Sequence, residues 1–199
     1  MTLKTFFMKQ IAIFASGSGT NAQRITEYFS DSVEVGINRI YSNKQEAFVL
    51  KRADNLGIPT TVFNRFTFYE TDTILKQLQY ERTDLLVLAG FLWLIPANLL
   101  KAFPDRIINI HPALLPKYGG KGMYGYKVHE AVIRSGDKES GITIHYVNEF
   151  YDEGKIIYRA KCVIDPEETP ESLASKIHKL EYRYYPQVIE KVLMNQSIL

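Results

Sequence analysis

The sequence predicts an α/β fold: a doubly wound, mostly parallel sheet with an antiparallel C-terminal hairpin. Short apolar runs alternate with helical patterns from residue 10 to residue 111, which is typical of parallel strands joined by crossover helices. The run Asp84–Gly90 is apolar almost throughout, as a strand covered on both faces should be. Two later runs, Gly141–Phe150 and Lys155–Val163, are separated by a short polar turn, and this predicts the hairpin.

Length and composition indicate one globular domain. The chain has 199 residues, of which 46% are hydrophobic and 23% charged, and this suffices for one full core. We therefore expect a single domain over residues 1–199, with an N-terminal half at about 10–105 and a C-terminal half at about 106–199.

Charge and cysteine content restrict the partners and the compartment. The net charge is +2 and the basic residues are scattered, so we expect no nucleic-acid partner. No stretch approaches the roughly 20 apolar residues that cross a bilayer, so we expect no membrane association. The one cysteine, Cys162, is expected to be a buried, inert thiol; it excludes an internal disulfide and is consistent with the cytoplasm.

The predicted elements follow one another with turn signals between them. Gly57 and Pro59 separate the second helix from the third strand. Thr169 suits the N-cap of the last helix and Pro170 its first position, and a kink is expected near Pro186. The first five predicted strands are Gln10–Ser16, Val33–Tyr41, Ile58–Phe63, Asp84–Gly90 and Ile107–His111. The predicted helices are Ala22–Phe29, Gln45–Asn55, Phe66–Gln79, Ala97–Phe103, Tyr126–Ser135 and one from Thr169 towards Met194.

A glycine-rich turn, Gly17–Asn21, joins the first strand to the first helix. A strand, a glycine turn and a helix start together present backbone N–H groups to an anion, and the hydroxyls of Ser18 and Thr20 add donors. The alternative is a tight turn with an ordinary N-cap. We expect phosphate binding at this turn.

The same turn matches a dinucleotide fingerprint, Gly17-x-Gly19-x-x-Ala22. A dinucleotide site also needs an acidic residue at the end of the second strand, for the ribose hydroxyls. That strand ends in Ser42-Asn43-Lys44, without a carboxylate, so no nicotinamide cofactor is expected.

The segment Gly90–Pro96 is too apolar for an ordinary surface loop. It contains Phe91, Trp93 and Ile95. These side chains either pack beneath the next helix or form the wall of a pocket for a flat, partly apolar ligand.

Two polar side chains end the predicted strand Ile107–His111. Asn109 and His111 alternate with apolar residues and therefore point to the same face of the strand. Pro112 ends the strand because it lacks an N–H. The pair lies at the carboxyl edge of the sheet, where open α/β sheets bind ligands.

A third polar residue, Asp152, lies in the turn of the predicted hairpin. An imidazole beside a carboxylate, with an amide to stabilise an oxyanion, suits acyl transfer through a tetrahedral intermediate. The alternative is a structural histidine next to proline. No cluster of His, Cys or carboxylate residues has metal-ligand spacing, so no metal is expected.

At this point the chain resembles the folate-dependent formyltransferases, and most nearly those that formylate glycinamide ribonucleotide. Six segments carry the resemblance, over about Ile11–Ile189: ASGSGTN (15–21), YSNK (41–44), LVLAGF (86–91), NIHPALLPKYGG (109–120), GITIHYVNEFYDEGKII (141–157) and YYPQVI (184–189). The resemblance implies a Rossmann-like formyltransferase fold. It also implies formyl transfer from 10-formyltetrahydrofolate, as co-substrate, to the amine of glycinamide ribonucleotide in purine synthesis.

The resemblance also implies roles for individual residues. The catalytic group would be Asn109, His111 and Asp152. The ribonucleotide would be bound by Gly19, Thr20, Asn21 and Glu181, although Glu181 could instead lie on a solvated helix face. The folate would be bound by Leu92, Trp93, Leu94, Ile95, Asn109, Asn148 and Asp152. The Leu115–Pro116 peptide would be cis, and the partners would be small molecules, with the chain a monomer or a homodimer.

Some residues depart from the family pattern or have no assigned partner. Trp93 and the glycine-rich loop Gly119–Tyr126 alter the expected folate pocket, and Arg65 is a loose match to a substrate-contacting arginine. His129 and His145 lack a clear partner and are expected to be structural or solvent-facing.

Four rival functions remain open. Three are other folate users: a formyltetrahydrofolate hydrolase, and a formyltransferase acting on methionyl-tRNA or on a sugar amine. The hydrolase is expected to carry an extra N-terminal domain and the tRNA enzyme an extra C-terminal domain; we expect neither in this chain. The fourth is a nucleotide-binding module without catalysis, which would need the Gly17–Asn21 turn but not Asn109, His111 and Asp152.

Overall fold

A seven-stranded sheet forms the centre of the part of the chain that the computed structural model describes, residues 8–197. The strands are β1 (Lys9–Phe14), β2 (Val35–Ser42), β3 (Thr60–Val62), β4 (Leu85–Leu88), β5 (Ile107–His111), β6 (Glu139–Tyr146) and β7 (Ile156–Val163). The helices are α1 (Thr20–Tyr28), α2 (Phe48–Asn55), α3 (Arg65–Tyr69), α4 (Thr73–Tyr80), α5 (Ala97–Ala102), α6 (Tyr126–Ser135) and α7 (Pro170–Leu193).

The strand order is β3-β2-β1-β4-β5-β6-β7. The pairs among β1 to β5 are parallel, whereas β6 pairs antiparallel with both β5 and β7. The predicted fold class is therefore confirmed, including the C-terminal hairpin. Successive strands extend to one side of the sheet from β1 and to the other side from β4. The connections therefore leave these two strands in opposite directions, and a crevice forms at their carboxyl ends, where such sheets bind ligands.

Helices cover both faces of the sheet because the strands are apolar on both faces. In β1, Ile11 and Ile13 pack in one cluster with residues of α1, α2, α6 and α7. Ala12 and Phe14 pack in the other cluster with residues of α3, α4 and α5. This two-sided burial explains why the parallel strands read as continuous hydrophobic runs.

Most predicted elements agree with the structure to within three residues at each end, and two differ by more. The predicted helix Phe66–Gln79 is wrong as one element, since α3 ends at Tyr69 and α4 begins at Thr73. Thr71 separates them: its hydroxyl donates to the Thr67 carbonyl and accepts from the Thr73 N–H, and such bonds compete with a continuous helix. The predicted strand Gly141–Phe150 starts earlier and ends at Tyr146.

The start of α7 agrees with its prediction. Thr169 caps the helix, its side chain accepting from the Ser172 N–H while the Ser172 side chain accepts from the Thr169 N–H, and Pro170 is the first helical residue. The helix continues across Pro186 to Leu193. Within residues 8–197, no helix combines the length and the apolar character needed to cross a membrane.

Tyr185 connects α7 to the sheet. Its ring is fully buried, and its hydroxyl lies 2.9 Å from the Leu88 carbonyl of β4 and 3.3 Å from the Ile108 carbonyl of β5. This hydroxyl therefore fastens α7, the helix that also carries Glu181, to two carbonyl groups at the centre of the sheet.

Replacing Tyr185 by phenylalanine should destabilise the protein. The change removes the hydroxyl partner of the two buried carbonyls and should lower the free energy of unfolding by about 1–3 kcal/mol. Urea denaturation measures this. The matched control is Tyr80→Phe, since Tyr80 is 89% exposed and its loss of a hydroxyl should leave stability unchanged. Equal stability of the two variants would contradict the role given to Tyr185.

Candidate active site

A cavity of about 430 Å³ opens at the carboxyl ends of β1, β4 and β5. Its wall comes from the glycine turn after β1, the apolar segment after β4, the end of β5, the loop before α6, the hairpin turn and α7. The lining includes Gly17, Ser18, Gly19, Thr20, Asn21, Leu92, Trp93, Leu94, Ile95, Asn109, His111, Gly120, His129, His145, Phe150, Tyr151, Asp152, His178 and Glu181. Segments far apart in sequence thus meet at one edge of the sheet.

The glycine turn presents the start of α1 to this cavity. Gly19 has φ 75°, and a Cβ there would lie 2.3 Å from Cγ2 of Val49, so a side chain would not fit. No side chain caps α1, and its first turn carries no acidic residue. The first N–H groups of the helix therefore lack side-chain partners and can bind an anion, which favours phosphate binding over an ordinary N-cap.

Asn109, His111 and Asp152 come together as expected. Nδ1 of His111 lies 3.5 Å from Oδ2 of Asp152, and Nδ2 of Asn109 lies 3.5 Å from Oδ1. Asp152 is 43 residues from Asn109 along the chain, and the two meet because β6 pairs with β5 and carries the hairpin turn back over the strand end. Their roles in catalysis stay predictions.

The position of Asp152 depends on the tight turn around it. Asp152 has φ 60°, and its Oδ2 accepts a hydrogen bond of 2.9 Å from the Gly120 N–H. At Gly154 a Cβ would lie 1.7 Å from the Tyr146 carbonyl oxygen, so only glycine allows this turn. Sequence reasoning placed the carboxylate in a polar turn but could not supply this backbone geometry.

His111 is held between two acceptors. It is 4% exposed, and its Nε2 lies 2.7 Å from the Tyr118 carbonyl, which can only accept, so Nε2 carries the hydrogen. Burial lowers the pKa of His111, while the Asp152 carboxylate and the Tyr118 carbonyl oppose this shift. Both ring nitrogens face oxygen atoms, so a second proton on Nδ1 would find a partner already in place.

Burial also acts on Asp152, in the direction that raises its pKa. Contact with His145, the charge of His111 and the Gly120 N–H outweigh burial, so that the pKa of Asp152 lies below its usual range. The carboxylate is therefore ionised near neutral pH and can stabilise a positive charge on His111.

His145 belongs to the same group, which sequence reasoning missed. The ring is 2% exposed, its Nδ1 donates to the Tyr146 carbonyl at 2.8 Å, and its Nε2 lies 3.1 Å from Nδ2 of Asn109. The expectation that His145 lacks a partner was wrong. The alternation of β6 places His145 on the same face as Thr143, and the antiparallel register sets it opposite Asn109; that register was the missing signal.

Glu181 is buried and not on a solvated face. It is 6% exposed, and its Oε2 accepts a 2.9 Å hydrogen bond from Nδ2 of Asn21. Burial raises the pKa of Glu181 to about 7, and the bond from Asn21 opposes this only in part. This bond joins two residues predicted to bind the same substrate, across 160 positions of sequence.

The apolar segment after β4 serves both alternatives left open by the sequence. Phe91 and Ile95 are buried in the core, whereas Leu92, Trp93 and Leu94 keep exposed surface on the cavity. The N–H of Leu92 donates to Oγ of Ser16 at 3.1 Å, which fixes the segment against the glycine turn. The backbone and core residues thus position an apolar wall.

The structure shows where Arg65, Asn148 and the expected cis peptide lie. The Arg65 guanidinium lies 4.8 Å from the centre of the Trp93 ring, at the apolar wall. Asn148 does not line the cavity in the described structure; its Oδ1 accepts from the Phe150 N–H at 3.0 Å, so its contact with folate stays a prediction. The Leu115–Pro116 peptide is cis, as expected.

All four histidines of the chain line this cavity. His129 is 3% exposed, which agrees with the structural rather than the solvent-facing alternative left open by the sequence, and burial lowers its pKa to about 4. His178 lies in α7, three residues before Glu181, and is exposed. Within residues 8–197, no group of three or more His, Cys, Asp and Glu side chains is arranged to hold a metal ion.

The raised pKa of Glu181 should make stability depend on pH. Between about pH 4.5 and about pH 7 the folded protein keeps a proton on Glu181 that the unfolded chain has released, so stability falls as pH rises through this window. Glu181→Gln should remove this fall, worth roughly 3 kcal/mol, and make the variant more stable than wild type above the window.

Urea denaturation across the window measures the fall. Glu167→Gln is the control, because Glu167 is exposed and its loss should leave the pH dependence of stability unchanged. A Glu181→Gln variant that keeps the full pH dependence of wild type would refute the assignment.

Comparison with known proteins gives a consistent picture. The family model for formyl transferase matches residues 9–189. The phosphoribosylglycinamide formyltransferase of Bacillus subtilis is 37% identical over 94% of this chain and 95% of its own length. The chloroplastic phosphoribosylglycinamide formyltransferase of Arabidopsis thaliana is 42% identical over 91% of this chain, which spans 64% of that relative's length.

A solved structure shares the fold as well. The phosphoribosylglycinamide formyltransferase of Bacillus halodurans superposes with a TM-score of 0.82 at 36% identity, over 93% of this chain and 95% of that one. Family model, sequence relatives and structure thus agree over nearly the whole described chain. The chain belongs to the formyl transferase family.

Proposed function

We propose that the protein transfers the formyl group of 10-formyltetrahydrofolate to the amine of glycinamide ribonucleotide, as the names of its relatives suggest. One observation carries the proposal: Asn109, His111 and Asp152 meet in a single cavity, between an uncapped helix start and an apolar wall. The three parts suit, in turn, formyl transfer, a phosphate and a pteridine.

The ribonucleotide would lie along the glycine turn and α7. Its phosphate would accept from the N–H groups at the start of α1 and from Thr20. Its amine would lie towards Glu181, whose pKa of about 7 allows the carboxyl group to exchange a proton near neutral pH. The Asn21–Glu181 hydrogen bond would hold both residues in register for one ligand.

The folate would lie against the apolar wall. Leu92, Trp93 and Leu94 expose apolar surface to the cavity, and Tyr151 and Asp152 face it from the hairpin turn. A flat ring between an apolar wall and a few polar groups is the usual composition of such a pocket. The donor would thus bind between the apolar wall and the catalytic group.

The chemistry would proceed through a tetrahedral intermediate. The amine of the ribonucleotide attacks the formyl carbon, a C–N bond forms and the carbonyl electrons move to oxygen. Nδ2 of Asn109 and the ring of His111 would stabilise this oxyanion. The bond to folate N10 then breaks, and the proton lost by the attacking nitrogen goes to N10 through water held at Asp152.

The electrostatics of the cavity favour this mechanism. Burial lowers the pKa of His111, and the negative charge that develops on the formyl oxygen opposes this shift, so the ring would take a proton from solvent and return it when the intermediate collapses. The ionised Asp152 then stabilises the imidazolium. The Asn109–Asp152 distance of 3.5 Å is long for a hydrogen bond, so that N–H can turn to a substrate oxygen.

We propose small-molecule partners, a monomer or homodimer, and a reducing compartment such as the cytoplasm. The single Cys162 is half-buried in β7, and burial raises the pKa of its thiol, which suits an unreactive cysteine.

Removing either catalytic partner should reduce turnover about 10²–10⁴-fold. We expect this of His111→Ala and Asp152→Asn, with unchanged circular dichroism, because each change removes a group that stabilises the intermediate. Folate absorbance with 10-formyltetrahydrofolate and glycinamide ribonucleotide measures turnover. Asp105→Asn is the control: Asp105 is exposed and has φ 53°, close to the 60° of Asp152.

Near-normal turnover in both variants would refute the assignment of His111 and Asp152 as catalytic residues. The same assay without the ribonucleotide separates the rivals. A change of absorbance that needs no ribonucleotide supports the hydrolase, and no change under any condition supports a binding module.

Thr20→Val should weaken ribonucleotide binding without affecting folate. The loss of one hydroxyl donor to a charged phosphate should raise KM for the ribonucleotide about tenfold, while KM for folate and kcat stay within about twofold. Steady-state kinetics measure both constants. Thr73→Val is the control, since Thr73 is likewise the first residue of a helix and lies outside the cavity. Equal effects on the two KM values would argue against a phosphate at Thr20.

A further inference from the structure

One buried polar side chain in the wall of the cavity has no role in the mechanism above. His129 lies in the first turn of α6, and its ring is buried and lines the cavity. Its Nδ1 is fully buried and has no hydrogen-bond partner among the described residues. Buried polar atoms are nearly always paired in folded proteins, so a ring kept only for structure would be expected to have a partner for this nitrogen.

The ring of His129 faces the part of the cavity given above to the ribonucleotide. The buried apolar residues of α6 pack in one cluster with residues of α1 and α7, whereas the apolar wall after β4 packs with the other cluster. Helix α6 therefore lies on the same face of the sheet as the glycine turn and α7. Positive charge on His178 or on His111 lowers the pKa of His129, which places the ring within reach of both α7 and the end of β5.

The surroundings of the ring determine which nitrogen carries the hydrogen. Burial lowers the pKa of His129 to about 4, so the ring is neutral at pH 7 and has a single N–H group. A buried N–H without an acceptor is rarer in proteins than a buried acceptor without a donor, so the hydrogen belongs on Nε2 and not on Nδ1. Of the two nitrogens only Nδ1 is fully buried without a partner, and Nε2 is therefore the donor on the cavity side of the ring.

We propose that Nε2 of His129 donates a hydrogen bond to an uncharged oxygen of the ribonucleotide, in the part of that substrate between its phosphate and its amine. The ribose hydroxyls and the amide carbonyl are the acceptors of this class. A neutral N–H suits an uncharged oxygen, whereas the phosphate already has the N–H groups at the start of α1. His129 is then a substrate-binding residue, and this inference rests on the proposed function.

Calorimetric titration with glycinamide ribonucleotide, in the absence of folate, measures the contact directly. His129→Leu removes both nitrogens and keeps a side chain of similar size, and it should raise the dissociation constant of the ribonucleotide about five- to tenfold. His129→Gln places an amide N–H near the position of Nε2 and should bind within about twofold of wild type. His129→Asn places its amide nearer the position of Nδ1 and should bind as weakly as His129→Leu.

Ser140→Ala is the matched control for the loss of a buried polar atom. Oγ of Ser140 is also buried without a partner among the described residues, but Ser140 does not line the cavity. Its removal should leave the dissociation constant within about twofold of wild type. A loss of binding in Ser140→Ala as large as that in His129→Leu would overturn the proposal, because the loss would then not depend on the cavity.

The ring ¹⁵N signals of His129, assigned by their absence in His129→Gln, give a readout that a purely structural role would not move. At pH 7 the hydrogen should be on Nε2, and the Nε2 signal should shift in a saturable manner with the ribonucleotide but not with 10-formyltetrahydrofolate alone. A hydrogen on Nδ1, or an Nε2 signal that the ribonucleotide leaves unchanged, would overturn the proposal.

The same titration with the 2′-deoxyribose analogue of the substrate distinguishes the two kinds of acceptor. If the 2′-hydroxyl accepts the bond, wild type and His129→Leu should bind this analogue equally. If the amide carbonyl accepts it, the five- to tenfold difference of about that size should persist.

The outcomes also separate this inference from the proposed function. A wild-type protein that neither binds nor formylates glycinamide ribonucleotide would overturn both. A wild-type protein that forms the product, while His129→Leu binds the ribonucleotide equally well, would overturn the role of His129 alone.

Discussion

The carboxylate of Asp152 is the point at which the catalytic half of the molecule is held together. It accepts from the Gly120 N–H at 2.9 Å and lies within 3.7 Å of polar atoms on Asn109, His111 and His145. These partners come from β5, from β6 and from the loop before α6. A buried carboxylate with this many partners stays ionised, and it would be costly to bury without them.

The surroundings of the titratable groups in the cavity shift their pKa values in different directions. Burial raises the pKa of Glu181 and lowers that of His111, so burial disfavours the charged form of both residues. Asp152 has the opposite behaviour because its partners outweigh burial. Such divergent environments are what acid–base chemistry near neutral pH requires. They also carry a cost, since Glu181 makes the fold less stable as pH rises.

The loop after β5 connects the end of the catalytic strand to the support of His111. The same few residues end the catalytic strand and supply the carbonyl that holds His111. Its backbone is anchored on both sides, by Thr143 and by Arg159 at Leu115 and by Asp152 at Gly120. A substitution in this loop is therefore expected to alter the orientation of His111.

The sequence by itself determined the fold class, most element positions, the glycine turn and the pair Asn109 and His111. These features depend on local rules: apolar runs, turn residues and the alternation of a strand. Asp152 could be predicted as a partner because a polar turn followed a predicted strand, and the family resemblance supported it.

The tertiary structure alone decided which distant residues meet. His145 joins the catalytic group because the antiparallel register sets it opposite Asn109, and Glu181 is buried because Tyr185 fixes α7 over the sheet. Thr71 interrupts a segment whose apolar pattern reads as one helix. Register, burial and side-chain competition arise from contacts between segments, and a one-dimensional pattern carries no record of the distances that set them.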